Sequence, residues 1–242
     1  MTPDRDTEGV LDVNIQTQYG KPLSSWRRFY LRMLEELAPG SIVEFGCGPV
    51  DFLARLPETI RRVGIDGNPN YADDYASAGI EFHACDFNAE GPPPSLKDFE
   101  AAVCSDVFEH LLYPQKLLGA IAKTLAPDGV LISHVPNEFR FGDLLPIQRG
   151  RAGSVVFHKD TEEWTNPHLR RFTDLGYQRF LALEFEFSAP LTHLNPTKPA
   201  RRLMRFGLPV PFGLQGGPTY ASTNSRETRD RLEQLLRQMA RS

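Results

Sequence analysis

The chain has 242 residues, a formal net charge of −4, 40% hydrophobic and 24% charged residues, which is enough for one globular domain with a sizeable core or one domain carrying a lid. The acidic balance gives no basic field for general nucleic-acid binding, and no apolar run approaches the roughly 18 residues that span a bilayer. The opening MTPDRDTEG is polar and acidic, without the apolar stretch of a signal peptide. With three cysteines, Cys47, Cys85 and Cys104, the expectation is a reduced cytoplasmic protein with small buried thiols.

In chain order, residues 1–22 read as an N-terminal arm. SSWRRFYLRMLEEL (24–37) places its apolar residues at helical spacing and stops at Pro39-Gly40. A strand follows at 41–46, a helix from about residue 50, a strand RRVGID ending at Asp66, a helix over YADDYASAG (71–79) and a strand IEFHACD ending at Asp86. GPPPS breaks the chain. FEAAVCSD (99–106) reads as a strand, PQKLLGAIAKTL (114–125) as an amphipathic helix and VLISHVP (130–136) as a strand. This alternation predicts a doubly wound, Rossmann-like, mostly parallel sheet with helices on both faces. Residues 138–168 break the rhythm and are expected to form a lid inserted after the fifth strand. RFLALEFEFS (179–188) and PTYASTN (218–224) read as two late strands, for seven in all, separated by a Pro-rich loop at 189–218. An amphipathic helix closes the single domain at 225–242.

The chemistry starts in SIVEFGCGPVDFL (41–53). Gly46 and Gly48 permit a tight turn and a close backbone approach. A dinucleotide fingerprint would carry Gly or Ala at position 51 beside the pyrophosphate, and here that position is Asp51. A phosphate-free, positively charged ligand suits this turn better, since Glu44 and Asp51 are then tolerable or useful. Two further acids, Asp66 and Asp86, end the next two strands, the region where open α/β sheets bind ligands. One such acid is commonly only a turn or cap; three at successive strand ends beside a glycine turn are harder to credit to capping.

VEFGCGPVDFL resembles the first motif of the class I S-adenosylmethionine-dependent methyltransferases, with Val50 where that motif often has glycine. The resemblance implies that Glu44, Gly46, Cys47 and Gly48 form the cofactor turn and that Asp66, with Gly67, takes the ribose hydroxyls. It further implies that Asp86 takes the adenine amino group with Phe87 against the ring, and that the backbone at Ser105 lines the same cleft. VCSDVFEHLLYPQKLL, GVLISHVPNEF and NPHLRRFT are similar to the small-molecule branch that includes the ubiquinone, menaquinone and natural-product enzymes. The implied activity is methyl transfer to a small-molecule acceptor, most readily at oxygen, leaving S-adenosylhomocysteine. Nitrogen, carbon or glycan acceptors, a non-catalytic cofactor binder and a nicotinamide-dependent dehydrogenase are the alternatives, the last opposed by Asp51. SDVFEH stands where nucleic-acid and protein-glutamine methyltransferases carry an Asn/Asp-Pro-Pro-aromatic motif.

An oxygen acceptor needs a proton acceptor, and histidine titrates in the right range. Of six histidines, His134, near the end of the fifth strand, and His168, at the lid's return, are the candidate bases. His83 is expected to pack, His110 to hold the turn after strand four or touch the cofactor, and His158 to ride in the lid; His193 receives no role. Cys and His spacings match no zinc pattern, and the expectation is no metal. The lid's Phe139, Phe141, Phe157 and Trp164, with its arginines, could wall a flat or anionic acceptor or pack on themselves. KPARRLMRFGLPVPFGL (198–214) could touch a membrane-bound acceptor, without stable insertion. The expected state is monomer or homodimer.

Overall fold

In the computed structural model, residues 23–149 and 168–240 are described, apart from the side chains of 143, 146 and 147. The N-terminal arm, most of the lid and His158 lie outside them. Helix α1 (Ser25–Leu37) starts on Ser24, whose Oγ accepts from Arg27 N, and ends at Ala38 in the left-handed region. Strands β1 (Ser41–Phe45), β2 (Arg61–Asp66), β3 (Glu81–Ala84), β4 (Phe99–Ser105), β5 (Leu125–His134), β6 (Phe187–Pro190) and β7 (Thr219–Thr223) form one sheet in the order β3-β2-β1-β4-β5-β7-β6. β1 to β5 run parallel, and β7 runs antiparallel to both β5 and β6.

The period-two pattern of the central strands sorts side chains to two cores. Val43 and Phe45 join Leu117, Leu118 and Ile121 of α3 (Pro114–Thr124) and Tyr177 and Leu181 of α5 (Asp174–Leu181). Ile42 joins Phe29, Tyr30 and Met33 of α1, Tyr75 of α2 (Ala72–Ser77), and Leu232 and Leu235 of α7 (Arg226–Met239). Helices therefore cover both faces, as expected. The three cysteines are free and buried.

Two expectations fail locally. No α-helix follows β1: between Pro49 and Pro57 the chain makes turns and a 3₁₀ segment, Leu53–Arg55. Asp51 N instead donates to the Pro49 carbonyl in a tight turn, and Pro57, which has no N–H to give, ends the segment. The stretch 179–188 begins as helix: Thr173 Oγ1 accepts from Gly176 N, Tyr177, Phe180 and Leu181 share one face, and strand starts only at Phe187. Within the stretch expected to form a lid, the described residues include α4 (Phe141–Gln148), and the Pro-rich stretch holds α6 (Lys198–Arg205). No helix among the described residues is long and apolar enough to cross a membrane.

Candidate active site

The carboxyl ends of β1, β2, β4 and β5 lie along one edge of the sheet, with β1 between β2 and β4. The turn after β1 is set by its glycines. Gly46 has φ +70, and a Cβ there would lie 2.2 Å from Val107 Cγ2; Gly48 has φ +60, with open space where its side chain would be. Gly46 is thus required by the fold as well as by its backbone conformation, whereas Gly48 keeps a surface clear. Asp66, at the end of β2, holds this turn: Oδ2 accepts from Gly48 N at 2.9 Å and Oδ1 from Asn68 N at 2.9 Å. Each carboxylate oxygen retains a lone pair for a further donor.

Glu44 and Asp51, the acids that singled out this turn, are joined by a residue that sequence reading missed. Arg27 of α1 ion-pairs Glu44 Oε1 at 3.2 Å, donates to Asp51 Oδ1 at 2.6 Å and reaches the Cys47 carbonyl at 3.4 Å. Glu44 is 2% exposed and lies beneath the turn rather than open to a ligand. Burial pushes its carboxyl up to about 7, against the downward pull of Arg27. The Cys47 side chain is likewise buried, its backbone N donating to Ile65 O, and burial pushes its thiol up.

The raised carboxyl has a stability consequence with a definite sign. Between the unfolded value of 4.5 and about 7, the native state keeps a proton on Glu44 that the unfolded chain releases. Native stability attributable to this group is therefore complete below pH 4.5 and declines as pH rises, by roughly 1.4 kcal/mol per unit. The melting temperature of the wild type, minus that of Glu44→Gln, should fall steadily from pH 5 to pH 7.5. A difference independent of pH would show that Glu44 is ionised throughout.

Asp86 is exposed and follows β3 by two residues, its Oδ1 accepting from Asn88 N. Phe87 packs beside Phe45, with ring centroids 6.2 Å apart. Gly67 is exposed beside Asp66, with room for a side chain 3.7 Å from the Cys85 carbonyl. Ser105 ends β4, and its Oγ donates to Asp106 Oδ2 at 3.0 Å.

Asp106, legible in the sequence as an acid after the fourth strand, takes a partner that the sequence did not show. It has φ +57, a conformation L-residues rarely adopt, and its N donates to the His134 carbonyl. Asp106 Oδ1 lies 3.6 Å from His134 Nε2, with the Asp106 side chain 58% exposed. On the other side of the ring, His134 Nδ1 is 2.8 Å from Thr219 Oγ1, whose hydroxyl donates to the Gly217 carbonyl. Thr219 is thus the acceptor, so Nδ1 carries the proton and the Nε2 lone pair faces Asp106. Trp26 lies over the imidazole at a centroid distance of 5.0 Å, and a Cβ on Gly217 would strike it at 2.5 Å. His134 is 5% exposed, and this burial lowers its pKa, with Asp106 acting in opposition.

His168 sits elsewhere, its Nδ1 2.9 Å from Glu138 Oε1 and its ring 4.6 Å from that of His110. His83, expected to pack, pairs with Glu81 at 2.8 Å on the edge strand β3. Asn137, after β5, donates to the Phe212 and Gln215 carbonyls and fixes the wall on which Phe139 and Phe212 approach to 6.3 Å.

A seven-stranded sheet of this order, with a glycine turn after β1 and an acid closing it from β2, defines a class I methyltransferase. The chain belongs to the methyltransferase-domain family, whose model matches residues 18–197, more than half of the chain. It is an S-adenosylmethionine-dependent methyltransferase, with S-adenosylmethionine as cofactor. The fold is similar to that of an S-adenosylmethionine-dependent methyltransferase from Clostridium acetobutylicum, at 11% identity and TM-score 0.55, covering 87% of this chain and 96% of that one. It is also similar to a TehB-like enzyme from Corynebacterium glutamicum, at 15% identity and TM-score 0.52, covering 88% and 94%. The [4+2]-cyclase SpnF is a further likeness, at 14% identity and TM-score 0.52, covering 81% and 80%. No curated protein matches the chain in sequence.

Proposed function

We propose that this methyltransferase acts on an oxygen of a small-molecule acceptor, with His134 as the base. The observation that carries the reading is the relay Asp106–His134–Thr219 at the ends of β4, β5 and β7. A buried imidazole held in one tautomer, with its bare nitrogen facing a carboxylate, is suited to receive a proton and to have the resulting cation stabilised.

S-adenosylmethionine, when bound, supplies a methyl group on a positively charged sulfur, open to in-line displacement. In this reading Gly46, Cys47 and Gly48 present the backbone for its amino-acid end, with Glu44 acting behind them through Arg27. Asp66, beside Gly67, uses its remaining lone pairs for the ribose hydroxyls. Asp86 and Phe87 take the adenine, and Ser105 closes the floor. The open space at Gly48 and the unfilled capacity of Asp66 support that fit. The protein's own chemistry is then to hold the acceptor in line and to exclude water. His134 Nε2 accepts the hydroxyl proton as the oxygen is methylated, Asp106 faces the imidazolium so formed, and Thr219 keeps Nδ1–H in place. Phe139, Phe141 and Phe212 offer an aromatic, apolar wall suited to an aromatic acceptor.

Calorimetric titration with S-adenosylmethionine, S-adenosylhomocysteine and NAD, followed by a screen of phenols and hydroxy acids for S-adenosylhomocysteine release, tests the reading. His134→Gln should lower kcat by roughly 100- to 10,000-fold and leave cofactor affinity within threefold. Because burial lowers the histidine pKa, the base stays neutral to more acidic pH, and the acidic limb of kcat should fall below 6.5. An active His134→Gln enzyme with an unchanged pH profile would remove His134 from the chemistry.

A further inference from the structure

A second cluster lies beside the turn after β4. Glu109, His110 and His168 each offer a ligand atom, all within 4.8 Å of one another. The Glu109 side chain is 1% exposed, neither of its carboxylate oxygens has a hydrogen-bond donor on another described residue, and His110 Nε2 lies 3.7 Å from Oε1. A buried carboxylate left without a donor is costly, and such groups are ordinarily paired or bound to a metal.

The surrounding chain fixes this geometry. Leu169 N and Arg170 N both donate to the Glu109 carbonyl, at 2.7 and 2.9 Å, and Arg170 Nη2 donates to the Leu112 carbonyl. His168 is thereby pinned against the turn that carries Glu109 and His110. Its Nδ1 is engaged by Glu138, whose other oxygen lies 3.5 Å from Arg171 Nε. With the proton on Nδ1, the His168 lone pair is on Nε2. A carboxylate holding the far nitrogen is the arrangement that orients a ligating imidazole and raises its basicity.

We infer that Glu109, His110 and His168 form a binding site for a divalent transition-metal ion of zinc type, with Glu138 orienting His168. Two imidazoles and one carboxylate suit zinc, cobalt or manganese better than calcium or magnesium, and three protein ligands leave a position for water. The ion neutralises the Glu109 carboxylate and ties His168, with Glu138 behind it, to the loop after β4. The spacing rules that found no metal pattern in the sequence look for local ligand pairs, whereas here His168 lies 58 positions after His110. The inference goes beyond the methyl-transfer reading and stands apart from the role given to His134.

The test uses the full chain, without a polyhistidine tag and stripped with a chelator, titrated with Co²⁺. One ion per chain should bind, with the strong visible absorption of a four- or five-coordinate site, and Zn²⁺ should displace it. Glu109→Gln and His168→Asn should each weaken Co²⁺ binding at least 100-fold, while Glu109→Gln keeps the wild-type affinity for S-adenosylmethionine within threefold. No saturable Co²⁺ binding, or binding undiminished in Glu109→Gln, would overturn the site. Loss of S-adenosylmethionine binding by the wild type would instead count against the cofactor placement, so the two failures are separable.

Discussion

Arg27→Ala should be the most destabilising single substitution at the cofactor turn, costing about 3–5 kcal/mol at pH 8. Arg27 serves the buried Glu44, the Asp51 carboxylate and the Cys47 carbonyl at once, so truncation leaves a buried carboxylate without its counter-charge. The loss should shrink toward pH 6. Without Arg27 the Glu44 carboxyl moves further above the value near 7 that burial already imposes, and a protonated acid no longer requires a cation. A drop in melting temperature of order 10 °C at pH 8 is the expected reading. Adding Glu44→Gln to Arg27→Ala should recover a large part of it, and a double variant no more stable than Arg27→Ala would mean that the ion pair is not what holds the turn.

Asp66→Ala carries the largest expected effect on function. Its carboxylate holds Gly48 N and Asn68 N and, in the proposed reading, both ribose hydroxyls. Losing two hydrogen bonds to a charged acceptor, at about 1.5–3 kcal/mol each, predicts S-adenosylmethionine binding weaker by roughly 100- to 10,000-fold. Asp66→Asn, which retains one acceptor oxygen, should fall between. Asp66→Ala also releases Gly48 N and Asn68 N, so part of the loss comes through a looser turn; Asp66 is only partly buried, and circular dichroism should still show the wild-type fold. Affinity within threefold of wild type in Asp66→Ala would place the ribose elsewhere.

β1, β2 and β4 were legible because each carries a buried apolar run ended by Gly46, Asp66 or Asp106, and β5 because VLIS is apolar up to His134; buried parallel strands leave that pattern. The late elements were harder. Residues 179–188 alternate apolar and polar over most of their length, which reads as a strand, yet Tyr177, Phe180 and Leu181 also satisfy helical spacing. The cap at Thr173 and packing against Phe108 decided for helix. The region after Gly48 looked helical because its apolar residues are dense, but Pro49 and Pro57 confine it. In the site, the glycines and strand-end acids announced themselves through local order along the chain. Arg27 and Thr219 did not, since the groups they hold, Glu44 for Arg27 and His134 for Thr219, lie 17 and 85 positions away on other elements. Asp106 was visible as a residue but not as a partner of His134, because that pairing rests on a left-handed backbone conformation in a residue other than glycine.

The absent helix after β1 alters how motion is shared across the protein. A full helix at that point would stiffen the glycine turn from within its own chain segment. Here the stiffness is borrowed from α1, through one guanidinium that grips both flanks of the turn. The two segments should therefore open and close as one unit, although about twenty residues separate them in sequence. Amide hydrogen exchange should record this as matched protection factors in α1 and in residues 44–51. Both should rise together when the cofactor is added, even though α1 supplies none of the groups assigned to touch it.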